Sequence, residues 1–403
     1  MKFLFTITFI AINFASFAQT NTAEDILHKD STSLLSRTTI GGYGNVLYQR
    51  DFNRETATID LERTVLFVGH KFNKKISFFS ELEVEDAKVA GGEEGGEIAL
   101  EQCYIKFNTD ADHYFVAGLF LPRIGILNEN HLPTTFNGNE RTQVETFILP
   151  STWRELGVGF YGNINSVYMD YSVAIVNGLN SAGFESGSVV REGRFEGRNA
   201  SANNLALTGA LRFHKNNFKA QVSGYYGGTV GLYPRQADSL RLASGTFGTP
   251  VLVGEVDLQY EAKGFSARLL GSVISIPDAS AINRAYANNT PESAYGMYAE
   301  VGYNLFENIA KLKDQQFILF VRYEKLNMNS EIPLNGIVNN ALDQQHIIIG
   351  VGYWPIRNVV IKGDVRLIHT GEQNPDLIIN PSPVAPPYLT NNTFLNLGIG
   401  FSF

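Results

Sequence analysis

From residue 38 onward the chain is written in short runs in which apolar and polar positions alternate. Ile76, Phe78, Leu82 and Val84 alternate with Ser77, Phe79, Glu81, Glu83 and Glu85. Val167, Met169, Tyr171, Val173 and Ile175 alternate with Tyr168, Asp170, Ser172 and Ala174. Leu252, Val256, Leu258 and Tyr260 alternate with Glu255, Asp257 and Gln259, and Val359, Ile361, Val365 and Leu367 with Lys362, Asp364 and Arg366. Period-two alternation marks strands whose two faces meet different surroundings. The pattern predicts sixteen strands, at 38–48, 58–71, 75–84, 98–107, 113–121, 153–161, 167–176, 205–213, 218–226, 251–261, 264–275, 294–305, 316–326, 344–354, 359–369 and 393–403.

The connections alternate too. Phe72-Asn73-Lys74 and Ala262-Lys263 are tight, as are the other turns on that side except 306–315. Every second connection is longer, most of all 122–152 and 177–204. An up-and-down membrane barrel requires this rhythm: short periplasmic turns, long outer loops and an even strand number. An Arg or Lys facing lipid at the bilayer midplane costs about 2–4 kcal/mol, so the charged positions have to face a wet interior. The predicted fold is therefore all-β, a 16-stranded antiparallel up-and-down transmembrane β-barrel. The last run fits, with Leu395, Leu397, Ile399, Phe401 and Phe403 on one face and Asn396, Gly398, Gly400 and Ser402 on the other. It resembles the closing strand of outer-membrane barrels, and pairing it with the first strand removes a sticky edge. Tyr43, Tyr48, Tyr104, Tyr226, Tyr260, Tyr303, Tyr323 and Tyr353 lie near strand ends and suit interfacial aromatic girdles.

Two runs break the alternation. In 58–71, Arg63 shares phase with Ile59, Leu61, Val65 and Phe67, whereas Leu66 and Val68 share phase with Asp60 and Glu62. In 98–107, Glu101 and Lys106 fall in opposite phases. A β-bulge in each would restore the pattern, at a position the pattern does not give.

Composition sharpens the address. Lys2, the apolar run Phe3 to Phe14 and Ala15-Ser16-Phe17-Ala18 read as a signal peptide over 1–18. Residues 19–37 read as a periplasmic linker and 38–403 as the barrel, placed in the Gram-negative outer membrane. No later stretch approaches the ~20 apolar residues of a membrane helix. The single cysteine, Cys103, excludes an internal disulfide and a cysteine metal cluster. With 32 basic and 40 acidic residues the chain is too acidic for a nucleic-acid partner.

Sixteen strands enclose a water-filled lumen, so chemistry lies in what lines and narrows it. The third outer loop, 122–152, carries Arg123, Glu129, His131, Glu140, Arg141 and Glu145, with Arg154 and Glu155 just beyond. Its Ile124, Ile126, Leu127, Phe136, Phe147, Ile148 and Leu149 need burial. Folding inward as a pore constriction would supply it. The wall candidates are Asp60, Glu62, Glu81, Glu83, Arg212, Arg268, Arg322 and Arg366, a mixed lining that leans acidic. In the second loop, Glu85-Asp86, Glu93-Glu94 and Glu97 could hold a divalent cation, though glycines leave them no fixed spacing. In the fourth loop, Arg191, Arg194 and Arg198 alternate with Glu192 and Glu196 and read as a self-neutralising solvated segment. Neither a Gly-x-Ser-x-Gly elbow nor a His-Glu-x-x-His pattern occurs, and His131 and His369 are the histidine pair on the outer side. The residues point away from an enzyme and imply no cofactor and no protein-bound metal.

Three segments carry a family resemblance. Glu145-Thr146-Phe147-Ile148-Leu149-Pro150-Ser151-Thr152-Trp153-Arg154-Glu155-Leu156-Gly157-Val158-Gly159 is similar to the segment after the third loop in porins related to the phosphate-selective porin O and P family. The run Asp60 to Phe72 resembles that family's arginine-bearing second strand, and Gly118-Leu119-Phe120-Leu121-Pro122-Arg123-Ile124-Gly125 its Gly-x-x-x-Pro-x-x-Gly fifth strand. The resemblance implies a homotrimeric passive channel in outer-membrane lipid. It does not carry over phosphate selectivity, which needs an arginine ladder and a lysine cluster that the mixed lining lacks. The function so predicted is a porin passing small hydrophilic solutes or ions. The alternatives are a channel specific for anions such as phosphate or for oligosaccharides, and a barrel hydrolase.

Overall fold

The computed structural model describes residues 37–85, 98–377 and 387–403. The predicted leader, most of the predicted linker and the acidic stretch 86–97 lie outside the described residues.

Sixteen strands form one sheet: β1 (Thr38–Asp51), β2 (Thr56–Lys71), β3 (Ile76–Glu85), β4 (Ile98–Asn108), β5 (His113–Phe120), β6 (Glu155–Ile164), β7 (Met169–Asn177), β8 (Leu205–Lys215), β9 (Phe218–Gly228), β10 (Pro250–Ala262), β11 (Phe265–Ser275), β12 (Ser293–Asn304), β13 (Gln316–Glu331), β14 (Asp343–Ile356), β15 (Val359–Thr370) and β16 (Asn391–Ser402). Each pairs antiparallel with its sequence neighbours, and β1 pairs with β16 to close the barrel. The seam register sets Tyr43 opposite Ser402, Val46 opposite Ile399 and Asp51 opposite Phe394.

The two faces separate as the alternation requires. Val173, Val256, Ile361 and Ile399 are exposed on the outer face, while Ser172, Glu255, Lys362 and Asn396 are buried inside. Polar inside and apolar outside is the reverse of a water-soluble barrel and matches a wall set in lipid. Tyr226, Tyr260, Tyr303 and Tyr323 are exposed outward. Tyr43 and Tyr104 depart from the expected girdle. Both are buried in the lumen, because their strand phase is that of the polar face.

Both irregular runs contain a bulge, and in each the extra residue is a glutamate. Asn45 faces Arg63 and Val46 faces Leu61, so Glu62 is the unpaired residue of β2. Glu81 faces Gln102 and Leu82 faces Leu100, so Glu101 is the unpaired residue of β4. A bulge flips the phase of the strand beyond it. This is how Ile59 and Leu61 come to be exposed on one side of Glu62 while Val65 and Phe67 are buried on the other.

Short turns are set by side chains. The Asn73 Oδ1 accepts from the amides of Lys75 and Ile76 at 2.8 and 3.0 Å, and Asp110 Oδ1 accepts from those of Asp112 and His113, both at 2.9 Å. Such Asx turns reverse the chain in few residues. On the other side the long loops pack together. Helices α1 (Pro234–Leu240) and α2 (Ala279–Tyr286) lie there, and Ala237 and Ile282 join Leu179, Phe184 and Val189 in one buried apolar cluster.

Candidate functional site

The third loop turns into the barrel and crosses it. Asn128 pins its neck: its Nδ2 donates to the Pro122 carbonyl at 2.7 Å and its Oδ1 accepts from the Trp153 amide at 2.7 Å. The apolar residues Ile124, Ile126, Leu127, Phe136, Ile148 and Leu149 are all buried, as their hydrophobicity demands.

Within the loop, Glu145 is the organising group. Its Oε1 accepts from the amides of Ile126 and Leu127 at 2.7 and 2.6 Å, and its Oε2 accepts from the Tyr298 hydroxyl of β12 at 2.8 Å. The turn that aims those two amides passes through Gly125 at φ +71°, where a Cβ would stand 2.7 Å from Glu145 Oε1. Only glycine fits this place, at the last position of the Gly-x-x-x-Pro-x-x-Gly segment. Burial pushes the Glu145 carboxyl up to about 7, although the hydrogen bonds from Leu127, Tyr298 and Ile126 pull the other way.

From this centre the loop reaches the wall in several directions. Toward β8, Arg212 Nη2 donates to Glu129 Oε2 at 2.8 Å, and Arg123 Nε donates to the same carboxylate at 3.0 Å. Burial would raise Glu129, but Arg123 and Arg212 outweigh it and hold the group at about 2. Toward β12 and β13, Arg322 pairs with Glu300 at 2.6 Å and donates to the Asn137 carbonyl at 2.6 Å, while Glu324 accepts from the Gln143 amide at 2.6 Å. Toward β15 and β16, Arg366 Nη1 donates to Glu140 Oε2 at 2.6 Å, and Lys362 donates to the Gly138 carbonyl at 2.7 Å. Asn139 donates to Asp364 from both its amide and its side chain, at 2.9 and 2.6 Å. Gly398 makes room for this contact, since a Cβ there would lie 2.2 Å from Asn139 Oδ1. On β11, Arg268 donates to the Thr135 carbonyl at 3.3 Å.

The fourth loop clamps the third. Arg194 Nη1 donates to the carbonyls of Pro150 and Thr152 at 2.9 and 3.1 Å, and Arg191 Nη1 to that of Thr146 at 2.8 Å. Glu196 pairs with both Arg194 and Arg154 at 2.8 Å. Arg191 and Arg194 are thus fasteners between loops and not free solvated charges, the role read for them in the sequence.

A cavity of about 350 Å³ opens between these loops and β1–β4. Five arginines (63, 141, 154, 191 and 194) and six glutamates (62, 83, 85, 140, 192 and 196) line it. Arg63 pairs with Glu83 at 3.3 Å across its wall. Of the residues singled out in the sequence, Glu62, Glu83, Glu140, Arg141 and Arg154 meet here. Arg123, Arg212, Arg268, Arg322 and Arg366 tie the loop to the wall. Glu145 and Glu155 are enclosed, the latter accepting from Trp153 Nε1 at 2.7 Å. Glu81 is buried beside His131, and Asp60 stands exposed, apart from the others. Sequence reasoning missed Glu101, Asn137, Asn139 and Tyr298. For Glu101 the broken phase of its strand was the available signal.

No family model matches the chain. An uncharacterized protein of Aquifex aeolicus (strain VF5) is 29% identical over 338 residues, covering 81% of this chain and 74% of the relative. Among solved structures, Salmonella typhi OmpF in complex with daunomycin superposes with a TM-score of 0.55 at 10% identity, covering 91% of this chain and 97% of that one. The outer membrane channel DcaP of Acinetobacter baumannii gives 0.55 at 12% identity with the same coverages. An anion-selective porin from Comamonas acidovorans gives 0.51 at 11%, covering 91% and 99%. At these identities the likeness is one of fold. A closed sixteen-strand barrel with an apolar belt, built like these proteins, belongs in a Gram-negative outer membrane.

Proposed function

We propose that this barrel is a porin: a passive, non-enzymatic channel for small hydrophilic solutes across the outer membrane. The observation that carries the reading is the third loop, held across the lumen by charge pairs to opposite walls beside a mixed-charge cavity. Opposed Arg and Glu side chains sort solutes by size and give weak charge selection, whereas a ring of one sign would select strongly. The near-balanced lining therefore supports a general porin over a phosphate-specific one, despite the three segments that resemble the phosphate-selective family. From that resemblance we take the working assembly to be a homotrimer.

The test is a reversal potential. The refolded barrel in a planar bilayer under a potassium chloride gradient should conduct stably with a potential near zero, unchanged by added phosphate. An anion-side potential with phosphate block would establish the anion-specific alternative. A bilayer with inserted barrels and no conductance would overturn the channel reading altogether.

A further inference from the structure

His131 sits at the inner end of the third loop, 3% exposed, facing two buried carboxylates of the wall. Its Nδ1 lies 3.0 Å from the Asn128 carbonyl. A carbonyl only accepts, so Nδ1 carries the proton and donates. Its Nε2 has no hydrogen-bond partner and points at Glu81 Oε1, 3.7 Å away, and Glu101 Oε2, 3.8 Å away. The three ligand atoms lie within 4.8 Å of one another.

Those spacings are long for charge-assisted hydrogen bonds, which run about 2.7–2.9 Å. They are close to the edge of a metal coordination shell: bonds of about 2.0–2.1 Å at tetrahedral angles separate the ligand atoms by about 3.3 Å. The surroundings are those of a ligand set held in place. Gln102 Nε2 donates to Glu81 Oε2 at 2.6 Å, leaving Oε1 turned to the histidine. Thr152 Oγ1 donates to Glu101 Oε1 at 2.6 Å, and the Tyr43 hydroxyl donates to Oε2 at 3.1 Å. A histidine fixed through Nδ1 by a carbonyl, with Glu81 fixed through its second oxygen and Glu101 through both of its oxygens, is how proteins orient metal ligands. His131 also borders the cavity, which provides an entry path.

We propose that Glu81, Glu101 and His131 bind a divalent first-row transition ion of the zinc type, latching the third loop to β3 and β4. One imidazole nitrogen with two carboxylate oxygens suits such an ion better than calcium or magnesium, which take oxygen ligands. The ion neutralises two carboxylates buried side by side, and the position facing the cavity is left to water. The site does not depend on the channel reading, because it is defined by retention of the ion.

The test uses tag-free barrel lacking residues 1–18, refolded, stripped with EDTA, equilibrated with zinc alone and dialysed. Elemental analysis should find one zinc per chain. H131Q and E101Q should weaken retention at least about 100-fold, beyond the 10–100-fold that loss of an outer-shell partner costs. T152V should fall within that smaller range. Replacing Glu93 and Glu94 with glutamine should change nothing. Retention that survives H131Q and disappears with Glu93 and Glu94 would put the ion in the second loop and overturn the assignment. So would a wild-type chain without zinc. Should the variants fail to refold, cobalt added to the wild type must give a visible d–d spectrum that equimolar zinc removes; a colourless sample defeats the proposal.

Discussion

Arg366 on β15 grips Glu140 near the tip of the third loop through a 2.6 Å hydrogen bond from Nη1 to Oε2. The two lie 226 residues apart in the chain, and their contact spans from loop to wall. Replacing Arg366 with methionine should free the tip and leave Glu140 beside Asn396 without its cation. Single-channel recording should show higher conductance with more open-state noise, and a reversal potential moved to the cation side. Removing 130–140 should raise conductance further. An unchanged conductance in the deletion would remove the loop from the constriction.

Arg322 tests the cost of burial. It is 2% exposed and pairs with Glu300 at 2.6 Å and Glu324 at 3.5 Å. Taking one partner out of a buried set strands the other charge, typically at about 3–5 kcal/mol. R322M should lower the unfolding free energy obtained from urea titration of the barrel in vesicles by that order. The double change R322M/E300Q should recover part of the loss, and failure to do so would mean that the pair is not the source of it.

Acid should act through Glu129. Although burial alone would raise it, Arg123 and Arg212 lower this carboxyl from the ordinary 4.5 to about 2. Its ion pairs therefore contribute fully above pH 4.5 and are lost as the pH falls from 4.5 through 2, a loss of up to about 3 kcal/mol. E129Q should flatten that acid limb in a pH series of unfolding midpoints.

Glu145 should act with the opposite sign. Burial raises it from 4.5 to about 7, so stability is greatest below 4.5 and declines as the pH climbs from 4.5 to 7, then levels. E145Q keeps an acceptor for the Ile126 and Leu127 amides and should remove the decline. G125A should be worse than E145Q at every pH, because it meets both the positive φ and the 2.7 Å approach to Glu145.

The clamp between loops offers a kinetic readout. R194Q loses the donors to the Pro150 and Thr152 carbonyls, bonds worth about 1.5–3 kcal/mol when the donor is charged. Amide hydrogen exchange should quicken across the fourth loop and the segment 146–153, while the strands keep their protection. Uniform protection in both would show the clamp to be dispensable.

Strand number, loop rhythm and wall polarity were all legible in the sequence, because lipid and water impose period two on every strand they border. Glu62 and Glu101 were not, for a physical reason. A bulge residue is placed by the hydrogen-bond register with the neighbouring strand, and alternation along one strand carries no record of that register. The same limit hid the meeting of Glu81, Glu101 and His131. Two come from adjacent strands and the third from the loop, and nothing local marks them as neighbours. The third loop was legible in part. Its apolar residues demanded burial and so announced the inward fold. Which of its charges would face the cavity and which would be enclosed, as Glu145 is, depended on the turn at Gly125.

A loop whose fasteners are scattered around the wall also constrains the order of assembly. While only the first half of the sheet exists, Asn137, Asn139 and Glu140 have none of their partners on β12 to β16. Ile124, Ile148 and Leu149 then have no complete enclosure, so the half-built sheet carries a greasy, unsatisfied arm. Seating that arm and sealing the β1–β16 seam become a single late event. A chain stalled before the last strands would leave that arm exposed and would be a natural client for a holding chaperone.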